Sequence, residues 1–149
     1  MTTMGLLVNI DVEDVEKGIA FYCAALGVSV GRRLGSDYVE LVGASSPIYL
    51  LQKPAGSPVA EGIGATRQYA RHWTPVHLDL VVADVTAAVA RARAAGARLE
   101  GEIRDRDWGR LAVMADPFGH GFCFIQFSDR GYDVLATNPS SPAPGGDPA

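Results

Sequence analysis

Two stretches of this chain, seventy positions apart, have the same build. Val8-Asn9-Ile10-Asp11-Val12-Glu13-Asp14-Val15 alternates apolar and polar residues up to an acidic one, and Leu78-Asp79-Leu80-Val81-Val82-Ala83-Asp84-Val85 repeats the pattern. Alternation of this kind belongs to a strand, and Asp14 and Asp84 stand where a helix N-cap is needed. An apolar run at helical spacing follows each: Val15, Ile19, Tyr22 and Leu26 in the first copy, Val85, Val89 and Ala92 in the second. Gly27 and Gly96 close the two runs. Start and stop signals used twice restrict the chain to two copies of one supersecondary unit.

The first copy continues through Val28–Leu34, Tyr38–Val42 and Ile48–Lys53, separated by Gly35-Ser36-Asp37 and Gly43-Ala44-Ser45-Ser46-Pro47. The second continues through Arg98–Ile103, Arg110–Ala115 and Gly121–Phe127, with Asp116-Pro117-Phe118-Gly119 as its last turn. Both read βαβββ, which makes the fold class α+β. Module one is expected over residues 4–54, a linker over 55–74 and module two over 75–128, in one domain spanning 4–128. Residues 129–149 read as a mostly disordered tail, because the end is almost only Asn, Pro, Ser, Ala, Gly and Asp.

One helix covers one face of each sheet, so the other face is free to line a site. On the first strand of module two, Leu78, Leu80 and Val82 point to the helix, while His77, Asp79 and Val81 point away. The same split places Leu7, Asn9 and Asp11 on the open face of module one. Polar residues there point to a partly hydrated cavity.

A net charge of −4, with scattered Lys and Arg, gives no footprint for nucleic acid. No apolar run approaches a membrane span of about 18 residues, and Met1–Gly5 lacks a basic leader region, so a soluble cytoplasmic protein is expected. Cys23 and Cys123 fall at unrelated spacing and are expected as reduced thiols. Gly62-Ile63-Gly64-Ala65-Thr66 lacks the strand and lysine of a nucleotide loop.

Ile19-Ala20-Phe21-Tyr22-Cys23-Ala24-Ala25-Leu26-Gly27 and Ala115-Asp116-Pro117-Phe118-Gly119-His120 are similar to two signatures of the vicinal oxygen chelate superfamily: a helix ending in FY and LG, and a DPxG turn before the last strand. The superfamily includes glyoxalase I, bleomycin-resistance proteins and extradiol dioxygenases. The resemblance covers about residues 4–126 and implies two modules curled into a cup, often shared across a homodimer. It also implies four metal-ligand positions, which fall here on Leu7, Leu50, His77 and Cys123. Leucine offers no lone pair, so no metal or other cofactor is expected. Gln52, Asn9, Asp11 and Asp79 are the residues able to rebuild a shifted set.

His77 beside Asp79 suits a general base or a hydrogen bond to a polar ligand, and reads equally as a cavity histidine. Cys123 reads as a small buried hydrophobe or as a thiolate nucleophile activated by His77. Trp73, in the run Arg71-His72-Trp73-Thr74-Pro75, either stacks on a planar ligand as part of a lid or fills a module interface. Tyr49 and Trp108 are weaker candidates for the lining, and His120 reads as a solvent-facing loop residue. Glu40, inside an apolar strand, calls for Arg32 or Arg33 as partner. The expected function is metal-independent binding of a small, partly aromatic metabolite or drug. The alternatives are a non-metal isomerase or lyase with His77 as base, and a metal-dependent lyase or dioxygenase with a rebuilt ligand set.

Overall fold

The computed structural model describes residues 2–138. Module one contains β1 (Val8–Val12), α1 (Val15–Leu26), β2 (Ser29–Leu34), β3 (Tyr38–Val42) and β4 (Ile48–Gln52). Module two contains β5 (Leu78–Val81), α2 (Val85–Ala94), β6 (Arg98–Leu99), β7 (Arg104–Arg106), β8 (Gly109–Ala115) and β9 (Gly121–Phe127). The sheet orders are β1-β4-β3-β2 and β5-β9-β8-β6, with β7 also paired to β8. In each sheet the first strand runs parallel to the last and the other pairs are antiparallel. The α+β architecture of twin mixed sheets is the one the repeat requires.

The two helices begin by the same device. Asp14 accepts from Lys17 N and Asp84 from Ala87 N, both at 3.0 Å. The last residue of β4 reaches back so that Gln52 Oε1 accepts from Val15 N at 2.8 Å, and Gln126 Oε1 of β9 accepts from Val85 N at 2.9 Å. Each helix thus has two otherwise unpaired N–H groups satisfied by side chains. Gly27 stops α1 in the left-handed region at φ 70.

Gln52 therefore faces the helix, and it is not available to a ligand set on the open face. Leu50 is likewise displaced from its expected place: it is 0% exposed and would crowd any Cβ added at Gly18. The register explains why, since Asn9 pairs with Tyr49 and Ile10 with Leu50, just as Asp79 pairs with Cys123 and Leu80 with Phe124. The counterpart of Cys123 in module one is Tyr49. A one-residue offset turns the side chain to the other face.

The strand expected over Arg98–Ile103 ends at Leu99, and a second short strand starts at Arg104, beyond Gly101 with φ 84. The tail expected from residue 129 still carries a 3₁₀ turn, Gly131–Val134, because Tyr132 packs on Trp108 and Phe127 at centroid distances of 5.2 and 4.8 Å. Residues 139–149 lie outside the described residues.

The modules are joined where α1 packs against α2. Tyr22, from the helix signature, donates to Asp116, from the turn signature, across 94 positions of sequence. Asp116 also accepts from Phe118 N at 2.8 Å and His120 N at 2.9 Å through its other oxygen. Burial and the neighbouring carboxylate push the Tyr22 phenol well above its ordinary range, so it stays a donor. Arg91 Nε adds a bond to Ala25 O at 3.3 Å. Among the described residues no helix is long and apolar enough to cross a membrane.

Candidate functional site

Between the facing edges of β1 and β5, with α1 below, lies a cleft of about 430 Å³. Val8, Ile10, Ile48, Leu78, Leu80 and Phe122 give it apolar walls. Its polar side carries Asn9 and Thr74 together with His72, His77 and His120, which are all three histidines of the chain. A volume in the small-molecule range, apolar walls and a few convergent polar groups are the attributes of a binding site. A smaller hollow of about 190 Å³ continues past His72 and His77 over Cys123 and is bordered by Trp73.

His77 Nε2 lies 3.2 Å from Asp79 Oδ1, and Asp79 sits opposite Cys123 in the strand register. Burial, the charge of Asp79 and a hydrogen bond to Asp79 push the Cys123 thiol up to about 11. A thiol held protonated by a carboxylate is a poor nucleophile, which disfavours the covalent reading of this residue.

The donors of His77, Asp79 and Cys123 lie within 4.8 Å of one another. On the opposing module, however, the equivalent positions hold Leu7 and Tyr49, and the Tyr49 hydroxyl is committed to Glu40 at 2.8 Å. The donor set does not fit an ion held jointly by both modules.

The sequence candidates divide into two groups. His77, Asp79, Cys123 and Trp73 come together around the smaller hollow, and Asn9 joins His77 in the larger cleft. Trp73 is 81% exposed. Leu50 is core, and Leu7 is exposed ahead of β1 without lining the cleft. Trp108 is turned into the aromatic cluster with Phe127 and Tyr132 and does not line the cleft or the smaller hollow. Tyr49 lies on the open face of module one. There Arg32, carried on a bulge opposite Glu40, binds that carboxylate through Nε at 3.0 Å and Nη2 at 2.6 Å and reaches Tyr49 at 3.1 Å. Glu40 has the arginine partner its position required.

His120 was the residue least legible from sequence. It is half-buried, and its ring Nδ1 lies 3.0 Å from His72 Nε2. The linker that carries His72 is held by Arg67 on Asp11 at 2.5 Å, by Tyr69 on Lys53 O at 2.5 Å and by His72 N on Gly119 O at 3.1 Å. Gly119, at φ 84, leaves room for the Ala70 carbonyl that a Cβ would strike. No local pattern announces a partner 48 positions away; the His72-Trp73 segment was the one available pointer.

Comparison with known proteins agrees with the fold. A glyoxalase-like domain model matches residues 7–125. An uncharacterized protein of Mycobacterium bovis, Mb0911c, is 35% identical over 113 residues, covering 73% of this chain and 74% of that protein. The anthracycline biosynthesis protein DnrV of Streptomyces peucetius is 32% identical over 131 residues, 84% of this chain; the match spans 43% of DnrV, so the chain matches less than half of that relative. Among solved structures, TnmS3, an antibiotic binding protein from Streptomyces sp. CB03234, superposes with a TM-score of 0.58 at 24% identity, covering 85% of this chain and 98% of TnmS3. By the repeated module, its two signatures and the extent of the match, the chain belongs to the glyoxalase-like family of the vicinal oxygen chelate superfamily.

Proposed function

We propose that this protein binds a small, partly aromatic organic molecule in the cleft between its modules and sequesters or recognises it without chemistry at the family's metal positions. The observation that carries the reading is the cleft itself, with apolar walls and three histidines on its polar side. Apolar walls supply the driving force, and a few imidazole groups orient oxygen or nitrogen atoms of the ligand. DnrV's place in anthracycline biosynthesis supports an aromatic ligand class. A homodimer belongs to this reading, because Leu7, Val42, Trp73 and Val81 leave exposed apolar surface on the sheet faces and the linker. The free thiols of Cys23 and Cys123 agree with action in the cytoplasm.

The 3.2 Å pair of His77 and Asp79 favours one second reading, in which His77 abstracts a proton from the bound molecule. One experiment separates the two. An anthracycline is titrated into EDTA-treated protein by tryptophan fluorescence, and the mixture is then followed by chromatography. Saturable binding with unchanged ligand supports sequestration. Conversion that vanishes in His77→Ala transfers the case to the proton-abstracting enzyme, and conversion that appears only with added Fe, Mn or Zn transfers it to a metal-dependent one. Absence of binding by this probe and by a panel of planar aromatics in a thermal-shift screen overturns the proposal.

A further inference from the structure

Leu26, Ile48 and Leu80, three apolar side chains of the cleft, also border a second chamber of about 400 Å³, so they form a partition between the two. Val28 and Phe124 extend its apolar wall, while the turn of residues 43–45 and Arg91 on α2 stand at its rim. Four consecutive residues at β5, Asp79, Leu80, Val81 and Val82, line it as well. Neighbouring residues of a strand point to opposite faces, so a run of four means that the edge of the strand borders the chamber. That edge is not paired with another strand, because β5 is the outer strand of its sheet. Val82 N donates to Ile125 O of β9 at 2.8 Å, and alternation along the strand then turns the N–H groups of Asp79 and Val81 the other way, toward the chamber.

Arg91 Nε donates to Ala25 O in the last turn of α1 at 3.3 Å, which steadies the guanidinium and leaves both Nη groups without a protein partner among the described residues. No carboxylate among those residues lies within ion-pair reach of Arg91, whereas Arg32, Arg33, Arg67, Arg71 and Arg110 each hold one at 3.0 Å or less. Asp79 does not compete, since its carboxylate is turned to the open face and lies 3.2 Å from His77 Nε2. A permanently charged fork at the rim of an apolar chamber, with backbone N–H groups along one side, is complementary to a carboxylate carried on an apolar body. We infer that this chamber is a second binding site, for an apolar monocarboxylic acid whose carboxylate Arg91 takes through its Nη groups. An amine would meet like charge at the rim, and a neutral molecule would leave the fork unused. The site lies behind the partition and does not depend on the ligand reading above.

The test is calorimetric titration of the protein with 2-naphthoate and with 2-naphthamide, which has nearly the same shape and no charge. One naphthoate per chain is expected, with affinity at least about tenfold lower for the amide and in Arg91→Gln. Ala44→Trp places a large side chain on the exposed turn at the rim while keeping Arg91, and it is expected to weaken naphthoate binding as well. Arg91→Gln also removes the bond to Ala25 O, so a drop in Tm with naphthoate affinity unchanged assigns Arg91 to capping α1 and overturns the inference. Absence of naphthoate binding, equal affinity for the amide, or binding unchanged in Ala44→Trp overturns it too. Binding lost in His77→Ala but kept in Arg91→Gln puts the probe in the cleft and has the same consequence.

Discussion

Replacing Tyr22 by Phe removes one hydroxyl and leaves the ring that packs in the core, so it isolates the bond joining the two modules. Asp116 is 6% exposed and keeps the two backbone donors on its Oδ1, while Oδ2 loses its phenol partner and gains no water. A buried hydrogen bond to a charged acceptor contributes about 1.5–3 kcal/mol, and an unsatisfied buried acceptor costs a similar amount. The expected loss is about 2–3 kcal/mol, or roughly 4–12 °C in Tm for a chain of this size. Urea unfolding followed by far-ultraviolet circular dichroism measures it, with an unchanged m-value. A cycle with Asp116→Asn returns the coupling. The pH dependence supplies a second readout. The folded-state phenol is raised above its ordinary 10.0, so its contribution is fully present below pH 10 and is lost as pH rises further. The gap between wild type and Tyr22→Phe therefore narrows above pH 10. A loss under about 0.5 kcal/mol at neutral pH, the level of an ordinary surface substitution, refutes the claim that this bond ties the modules.

Three other outcomes are expected. Arg32 holds the Glu40 carboxyl at about 2, below its ordinary 4.5, so the stability difference between wild type and Arg32→Ala is fully developed above pH 4.5 and fades as pH falls toward 2; acid titration of the two proteins by circular dichroism tests this. Because the Cys123 thiol stands near 11 instead of 9.0, iodoacetamide at pH 8 labels it about 100-fold more slowly than an ordinary cysteine, and Asp79→Asn speeds the reaction; mass spectrometry of peptides containing Cys123 gives the rates. Gln52→Ala and Gln126→Ala each remove one helix-start acceptor and cost about 1 kcal/mol, and the double variant costs the sum because the two caps lie in different modules; a strongly non-additive result in chemical denaturation contradicts independent caps.

The repeat was legible because each copy solves the same local problem: an alternating strand, an acidic N-cap and an apolar helix stripe occupy consecutive residues. The open-face positions of Asn9 and Asp79 followed from parity alone. What escaped depends on partners far along the chain. Nothing near Gln52 shows that it caps a helix 37 positions earlier, and nothing near Tyr22 shows that Asp116 accepts its hydrogen bond. Assignment of Leu50 to the site failed for a different reason: a strand position offset by one residue exchanges cavity for core. Trp108 was misplaced because its real neighbour, Tyr132, belongs to a segment whose composition resembles a tail.

Aligning the two modules by register shows where their sequences agree and where they part. On the helix side the pairs are Asp14 with Asp84, Gln52 with Gln126, and Leu50 with Phe124, which do the same capping or packing in both copies. On the open side the pairs are Leu7 with His77, Asn9 with Asp79, and Tyr49 with Cys123, which have little chemistry in common. Packing against a helix limits the first set, because a cavity or an uncapped N–H there destabilises the module carrying it. The open faces carry no such constraint and are free to diverge. The consequence is an asymmetric site, in which module one supplies an Arg32, Glu40 and Tyr49 network closed upon itself, while module two and the linker supply the imidazoles available to a ligand.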